Sequence, residues 1–113
     1  MKMRKMAAAL HCAAVLAVAF PEAGAAQGSA HKTYTIVMEK MTFGSSPSGL
    51  RKGDSIRWIN RDLFRHSASA KDHSFDIDLP PGQSAVTILK RPGTIVFFCK
   101  YHPGMKGTLT VAS

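Results

Sequence analysis

Cysteine, acid and long apolar runs are all in short supply in this chain. Its 113 residues hold two cysteines, Cys12 and Cys99, and seven acidic residues against fifteen Lys and Arg. No segment sustains a 3.6-residue apolar period over several turns, which argues against a helical architecture. The longest apolar stretch, Ala7 to Phe20, is interrupted by His11 and is too short to span a bilayer comfortably. No repeat and no low-complexity segment follows it. The basic residues are scattered, with no dense run interleaved with aromatics, so nucleic-acid binding is not indicated. The length predicts one small domain.

The first thirty residues differ from the rest. Lys2, Arg4 and Lys5 make a basic start, an Ala-rich apolar run follows, and Pro21 and Glu22 lead into the small residues Ala23-Gly24-Ala25-Ala26. This pattern reads as a secretory signal peptide over residues 1–26, cleaved after Ala25 or Ala26, with Ala30 as an alternative. Leu10-His11-Cys12 is a poor lipoprotein box, because a bulky His precedes the Cys. The expected mature domain is therefore residues 27–113, exported to the periplasm and not inserted in the membrane. Without Lys2, Arg4, Lys5 and Glu22, twelve basic residues face six acidic ones, a net of +6. That surplus is either a solvated basic surface or a docking surface for an acidic partner.

If Cys12 leaves with the leader, Cys99 is alone. A lone cysteine in an oxidising compartment is an intermolecular disulfide, a reactive thiol or a metal ligand. A mature chain of roughly 85 residues buries only a modest core, and a bound metal is a natural staple for it.

Short strand signals alternate with turn signals along the mature chain, the pattern of an antiparallel sandwich or barrel. Thr33 to Met38 predicts a strand with Tyr34, Ile36 and Met38 on one face. Met41 and Phe43 continue out of phase, which predicts a bulge near Glu39-Lys40. Ser55 to Asn60 alternates, with Ile56, Trp58 and Asn60 together; an inward Asn needs a hydrogen-bond partner. His66 to Ala70 and Ser74 to Leu79 are further strands, and Ala85 to Leu89 is one whose buried face stays open. Ile95, Phe97 and Cys99 share one face of the next strand, and Val96 and Phe98 the other, so both faces are expected to be covered. Lys106 to Val111 closes the sheet.

The segment Cys99-Lys100-Tyr101-His102-Pro103-Gly104-Met105 carries the chemistry. It places a thiolate, an imidazole and a thioether within seven residues, directly after a strand. Soft sulfur with imidazole favours copper over calcium or magnesium. One Cys and two His with a weak axial Met is the ligand set of a blue-copper electron-transfer site. Cys99 and His102 are brought together by the C-x-x-H spacing, Pro103 and Gly104 suit a sharp turn, and Met105 reaches the axial side. The missing second imidazole is assigned to His66. Of the other histidines of the expected mature chain, His73 is read as solvated and His31, near the new N-terminus, as binding Cu(II) weakly or not at all.

Taken together, Ser55-Ile56-Arg57-Trp58-Ile59-Asn60-Arg61-Asp62 with His66, then Pro92-Gly93-Thr94, the Cys99 to Met105 loop and Gly107-Thr108-Leu109-Thr110-Val111, resemble a small cupredoxin of the plastocyanin/azurin family. The short gap between His102 and Met105 is similar to that of the amicyanins and amicyanin-like pseudoazurins. The resemblance implies an all-β Greek-key sandwich as a single domain. It implies one copper ion held by His66, Cys99, His102 and Met105, with Asn60 helping to hold the two ligand loops together. It further implies a monomeric carrier of single electrons between redox proteins, with a c-type cytochrome or a dehydrogenase as candidate partners and His102 as the electron exit. Arg65 and Tyr101 stand where the family usually has Pro. A cation at position 65 is expected to disfavour Cu(II) and raise the potential.

A copper-binding or copper-delivery protein is the alternative function, but such proteins usually carry exposed Met or His clusters, and here the ligands form one compact set. A Cys/His hydrolase is disfavoured by the crowding of Cys99, Tyr101 and His102 and by the lack of an oxyanion-forming loop. With no paired H-x-H motif, a multicopper enzyme is disfavoured too. The chain reads as a non-enzyme.

Overall fold

Alternating apolar and polar residues set up nine strands, and no helix is present among the described residues. The computed structural model describes residues 3, 13–18 and 30–113. Cys12, the cleavage region and the rest of the expected leader lie outside the described residues. The strands are β1 (Thr33–Glu39), β2 (Thr42–Phe43), β3 (Leu50–Arg51), β4 (Ser55–Asn60), β5 (His66–Ala70), β6 (Asp76–Leu79), β7 (Ser84–Ile88), β8 (Gly93–Phe98) and β9 (Lys106–Ala112).

They form two sheets, ordered β2-β1-β4-β7 and β3-β9-β8-β5-β6. The β1–β4 and β3–β9 pairs are parallel and the others antiparallel. This is the all-β sandwich that the sequence predicts. Between the sheets lies one core, built from the inward sets Ile36 and Met38, Ile56 and Trp58, Ile95 and Phe97, and Leu109 and Val111. At its centre Trp58 and Phe97 meet edge to face, with ring centroids 5.1 Å apart, and Phe43 and Phe75 pack beside them. Such aromatic pairs add roughly 0.5–1.5 kcal/mol beyond the area they bury. The Phe97 ring lies so close over Gly107 that a Cβ there would sit 2.2 Å from it, so only glycine fits in β9 at that point.

Two expectations are corrected. The predicted bulge at Glu39-Lys40 is a two-residue hairpin turn. Lys40 and Met41 both adopt positive φ (54° and 59°), and the chain reverses so that Met38 pairs with Phe43. The phase shift in the apolar pattern is therefore a change of strand. Non-glycine residues rarely hold this conformation, and it persists where surrounding contacts over-determine it. The second correction concerns β8. Ile95 and Phe97, with Cys99 beyond them, point into the core, but Val96 is 36% exposed, so the outer face is only partly covered.

The open question of β7 also resolves. Thr87 and the following Leu89 face inward, while Val86 and Ile88 are exposed. The reason is chemical: Thr87 Oγ1 accepts the buried Trp58 Nε1–H at 2.9 Å. A buried indole donor without an acceptor would cost about 1–3 kcal/mol.

Candidate metal centre

Beyond the C-terminal end of β4 the chain crosses to the second sheet through residues 61–65. Asn60, wholly buried, governs that crossing. Its Nδ2 donates to the carbonyls of Phe64 (2.7 Å) and Leu79 (2.9 Å), and its Oδ1 accepts the Asp62 N–H at 2.9 Å. Asn60 thus shapes its own loop and ties it to β6. It makes no hydrogen bond to the Cys99–Met105 loop, contrary to the expected role. The two loops are instead joined through Ser67: its N–H donates to Cys99 Sγ at 3.3 Å, and its Oγ accepts the Lys100 N–H at 2.8 Å.

His66 opens β5, and Cys99 follows β8, the strand paired with β5. His102 lies three residues further on, in a loop closed on itself by Met105 N–H to His102 O (2.8 Å) and Cys99 N–H to Met105 O (3.1 Å). Three of the four predicted ligands converge. His66 Nδ1 and His102 Nδ1 are 3.1 Å apart, and Cys99 Sγ is 3.9 Å from the first and 3.6 Å from the second. A point equidistant from these atoms lies about 2.1 Å from each, within the range of metal–imidazole and metal–thiolate bonds. The set fits a soft, thiophilic ion such as copper. Cys99 and His66 are buried and His102 is half-buried, so the centre meets solvent through one imidazole edge. Met105 is buried beneath the loop, 2% exposed.

One partner of the centre was not anticipated. Asp62 Oδ2 lies 2.7 Å from His66 Nε2, so the ring donates there and keeps Nδ1 free for a metal. The same carboxylate accepts the N–H of Lys40 (2.7 Å) and of Met41 (3.0 Å), the positive-φ turn. Burial alone would raise this carboxyl; the bonds from His66, Met41 and Lys40 outweigh it and hold Asp62 below the ordinary carboxylate range. An acidic residue four positions before a candidate ligand His was the available signal.

Arg65 is not a free cation. Its guanidinium donates to Asp78 Oδ1 at 3.0 Å, so the charge expected to raise the potential is paired on the spot. Phe64, 58% exposed, packs edge to face on His102 with centroids 6.1 Å apart, and Leu63 beside it is 90% exposed. His73 stands in a polar turn with a φ of 63°, and His31 is at the surface 4.0 Å from Asp54; neither joins the centre.

A family model described as cupredoxin-like domain matches residues 10–111. The chain belongs to the cupredoxin-like family. Among solved structures, this cupredoxin is similar to a reduced tryptophan-to-tyrosine mutant of amicyanin, with 20% identity and a TM-score of 0.60 over 70% of this chain and 81% of that one. A Cu(I) methionine-to-alanine mutant of amicyanin is similar at 23% identity and a TM-score of 0.59, covering 73% and 84%. These likenesses carry the fold. No curated protein matches the chain.

Proposed function

We propose that this cupredoxin is a type 1 copper protein that carries single electrons between redox proteins in the periplasm. The observation that supports it most is the triangle of one buried thiolate and two imidazoles, with only the His102 edge towards solvent. Bound there, copper would supply a one-electron couple. His66, Cys99 and His102 would hold it, and the Met105 thioether, in the same loop as Cys99 and His102, would be a further and weaker donor. The chain's part is to keep these donors in place. Cys99 is held by Ser67 N–H, His66 is oriented by Asp62, and the two sit at the ends of paired strands, so little rearranges when the charge changes. No catalytic residue is assigned; the protein is read as a monomeric non-enzyme.

Partners dock in this reading around His102, on the apolar Phe64 and Leu63. The basic surplus selects partners with an acidic face, such as a c-type cytochrome or a dehydrogenase. The test is the visible absorption and EPR spectrum of residues 26–113 loaded with Cu(II). An intense blue band that bleaches reversibly on reduction is the expected result. A colourless product with loosely held Cu(II) would overturn the carrier reading in favour of copper binding or delivery.

A further inference from the structure

Strand β6 is an edge of the five-stranded sheet, and its two acidic residues, Asp76 and Asp78, sit two apart on one face, opposite Ser69 and Ser67 of β5. Each carboxylate is shared in the same way. Asp76 accepts Ser69 Oγ–H from β5 (2.8 Å) and Lys100 Nζ from the ligand loop (3.0 Å). Asp78 accepts Arg65 from the residue preceding β5 (3.0 Å) and the Tyr101 hydroxyl from the ligand loop. Arg65 immediately precedes the ligand His66, and Tyr101 immediately precedes the ligand His102. One side chain on a neighbouring strand therefore grips the chain next to both imidazoles.

We propose that Asp78 is a positioning residue for the metal centre: through Arg65 and Tyr101 it braces the two histidine-bearing segments against β6, with Asp76 as a parallel brace through Ser69 and Lys100. This rests on the copper-carrier reading. Arg65 and Tyr101 restrain their segments from outside, through a shared carboxylate. A bridging carboxylate with two donors on separate segments makes those segments move together, which two independent surface pairs would not do.

The experiment has a metal-free arm and a copper arm, on residues 26–113 of the wild type and of Asp78→Asn, Tyr101→Phe, the double variant and Asp78→Glu. In the metal-free protein, amide hydrogen exchange at Lys100 and Met105 is expected to quicken about two- to fivefold in Asp78→Asn and Tyr101→Phe. Amides of β1 and β4 are expected to stay unchanged. In the copper arm, loss of Cu(I) to excess bicinchoninate is expected to quicken by a similar factor. The double variant should be no faster than Asp78→Asn, and Asp78→Glu should recover part of the loss. Unchanged exchange in the ligand loop, a loss of protection spread evenly over the sheets, or equal copper release from variant and wild type would each overturn the brace. A wild type that takes up no copper would sink the carrier reading instead, while the exchange arm still decides whether the brace exists.

Discussion

The two ends of β4 are each closed by a buried or half-buried aspartate, and the two put the same device to different uses. Before the strand, Asp54 accepts the N–H of Lys32 and of Arg51, both at 2.9 Å. It thereby ties the approach to β1 to the Lys52-Gly53 turn, where Gly53 has a φ of 94° and a Cβ would strike the His31 ring. After the strand, Asp62 accepts the N–H of Lys40 and of Met41 and closes another positive-φ turn. Both carboxyls lie below their ordinary range. For Asp54 the leading causes are the two backbone bonds; for Asp62, bonds from His66 and the turn overcome the effect of burial. The difference is the third acceptor site. At one end only the surface His31, 4.0 Å away, approaches it among the described residues. At the other it is given to the ring of His66. A fold-closing carboxylate becomes part of a metal centre by gaining a single donor.

Cys99→Ser tests the centre at its strongest point. It is expected to abolish the blue band outright, because the colour comes from the thiolate, while strand content by circular dichroism stays as in the wild type. Retained blue colour would break the ligand assignment. Next come the two aspartates, compared directly. Asp62→Ala is expected to weaken copper affinity roughly 10- to 100-fold, as loss of a ligand-orienting partner typically does. Asp54→Ala should leave copper affinity unchanged and lower the melting temperature of the metal-free protein. Competition titration and thermal unfolding of both variants decide it; equal copper losses would erase the distinction between the ends.

Met105→Leu is expected to keep the blue band and shift the reduction potential, as loss of a weak thioether donor should; a lost band would make Met105 essential to the site. The smallest effect concerns acid. A depressed folded-state value means that Asp54 contributes stability above the ordinary carboxylate value of 3.8, and that this is lost as pH falls through the lower folded value. Metal-free wild type should thus lose stability below about pH 4 more steeply than Asp54→Asn. Parallel curves in acid titrations followed by circular dichroism would remove Asp54 from the account.

His66, Cys99 and His102 were legible in the sequence because few donor types suit a soft metal, and their spacing relative to strands limits which can meet. The strand around Trp58 was legible from alternation, and the one around Phe97 from a short apolar run bounded by turn residues. Asp62 was not, because its role depends on the Lys40-Met41 hairpin, and the phase shift there looked like a bulge within one strand. Asp76 and Asp78 looked like the solvent face of an ordinary strand; their meaning appears only when β6 lies beside the ligand loop. In β7 the apolar pattern left the buried face open, and what decides it is Thr87, drawn inward by the Trp58 indole while Val86 and Ile88 are turned out.

The place of the ligand loop between β8 and β9 has a consequence for timing. β9 slots between β3 and β8, although it comes last in chain order among the strands of the described residues. A ribosome that has delivered residues as far as β8 has released His66 but not yet the Cys99–Met105 loop. The strand that follows this loop also joins the short edge strand β3 to the rest of the five-stranded sheet. Completion of the sheet is therefore dominated by contacts between distant parts of the chain, and the pairing of β5 with β8 is the one that brings His66 to Cys99. A metal ion meeting the chain before β5 and β8 pair would find the imidazole of His66 and the thiolate of Cys99 apart.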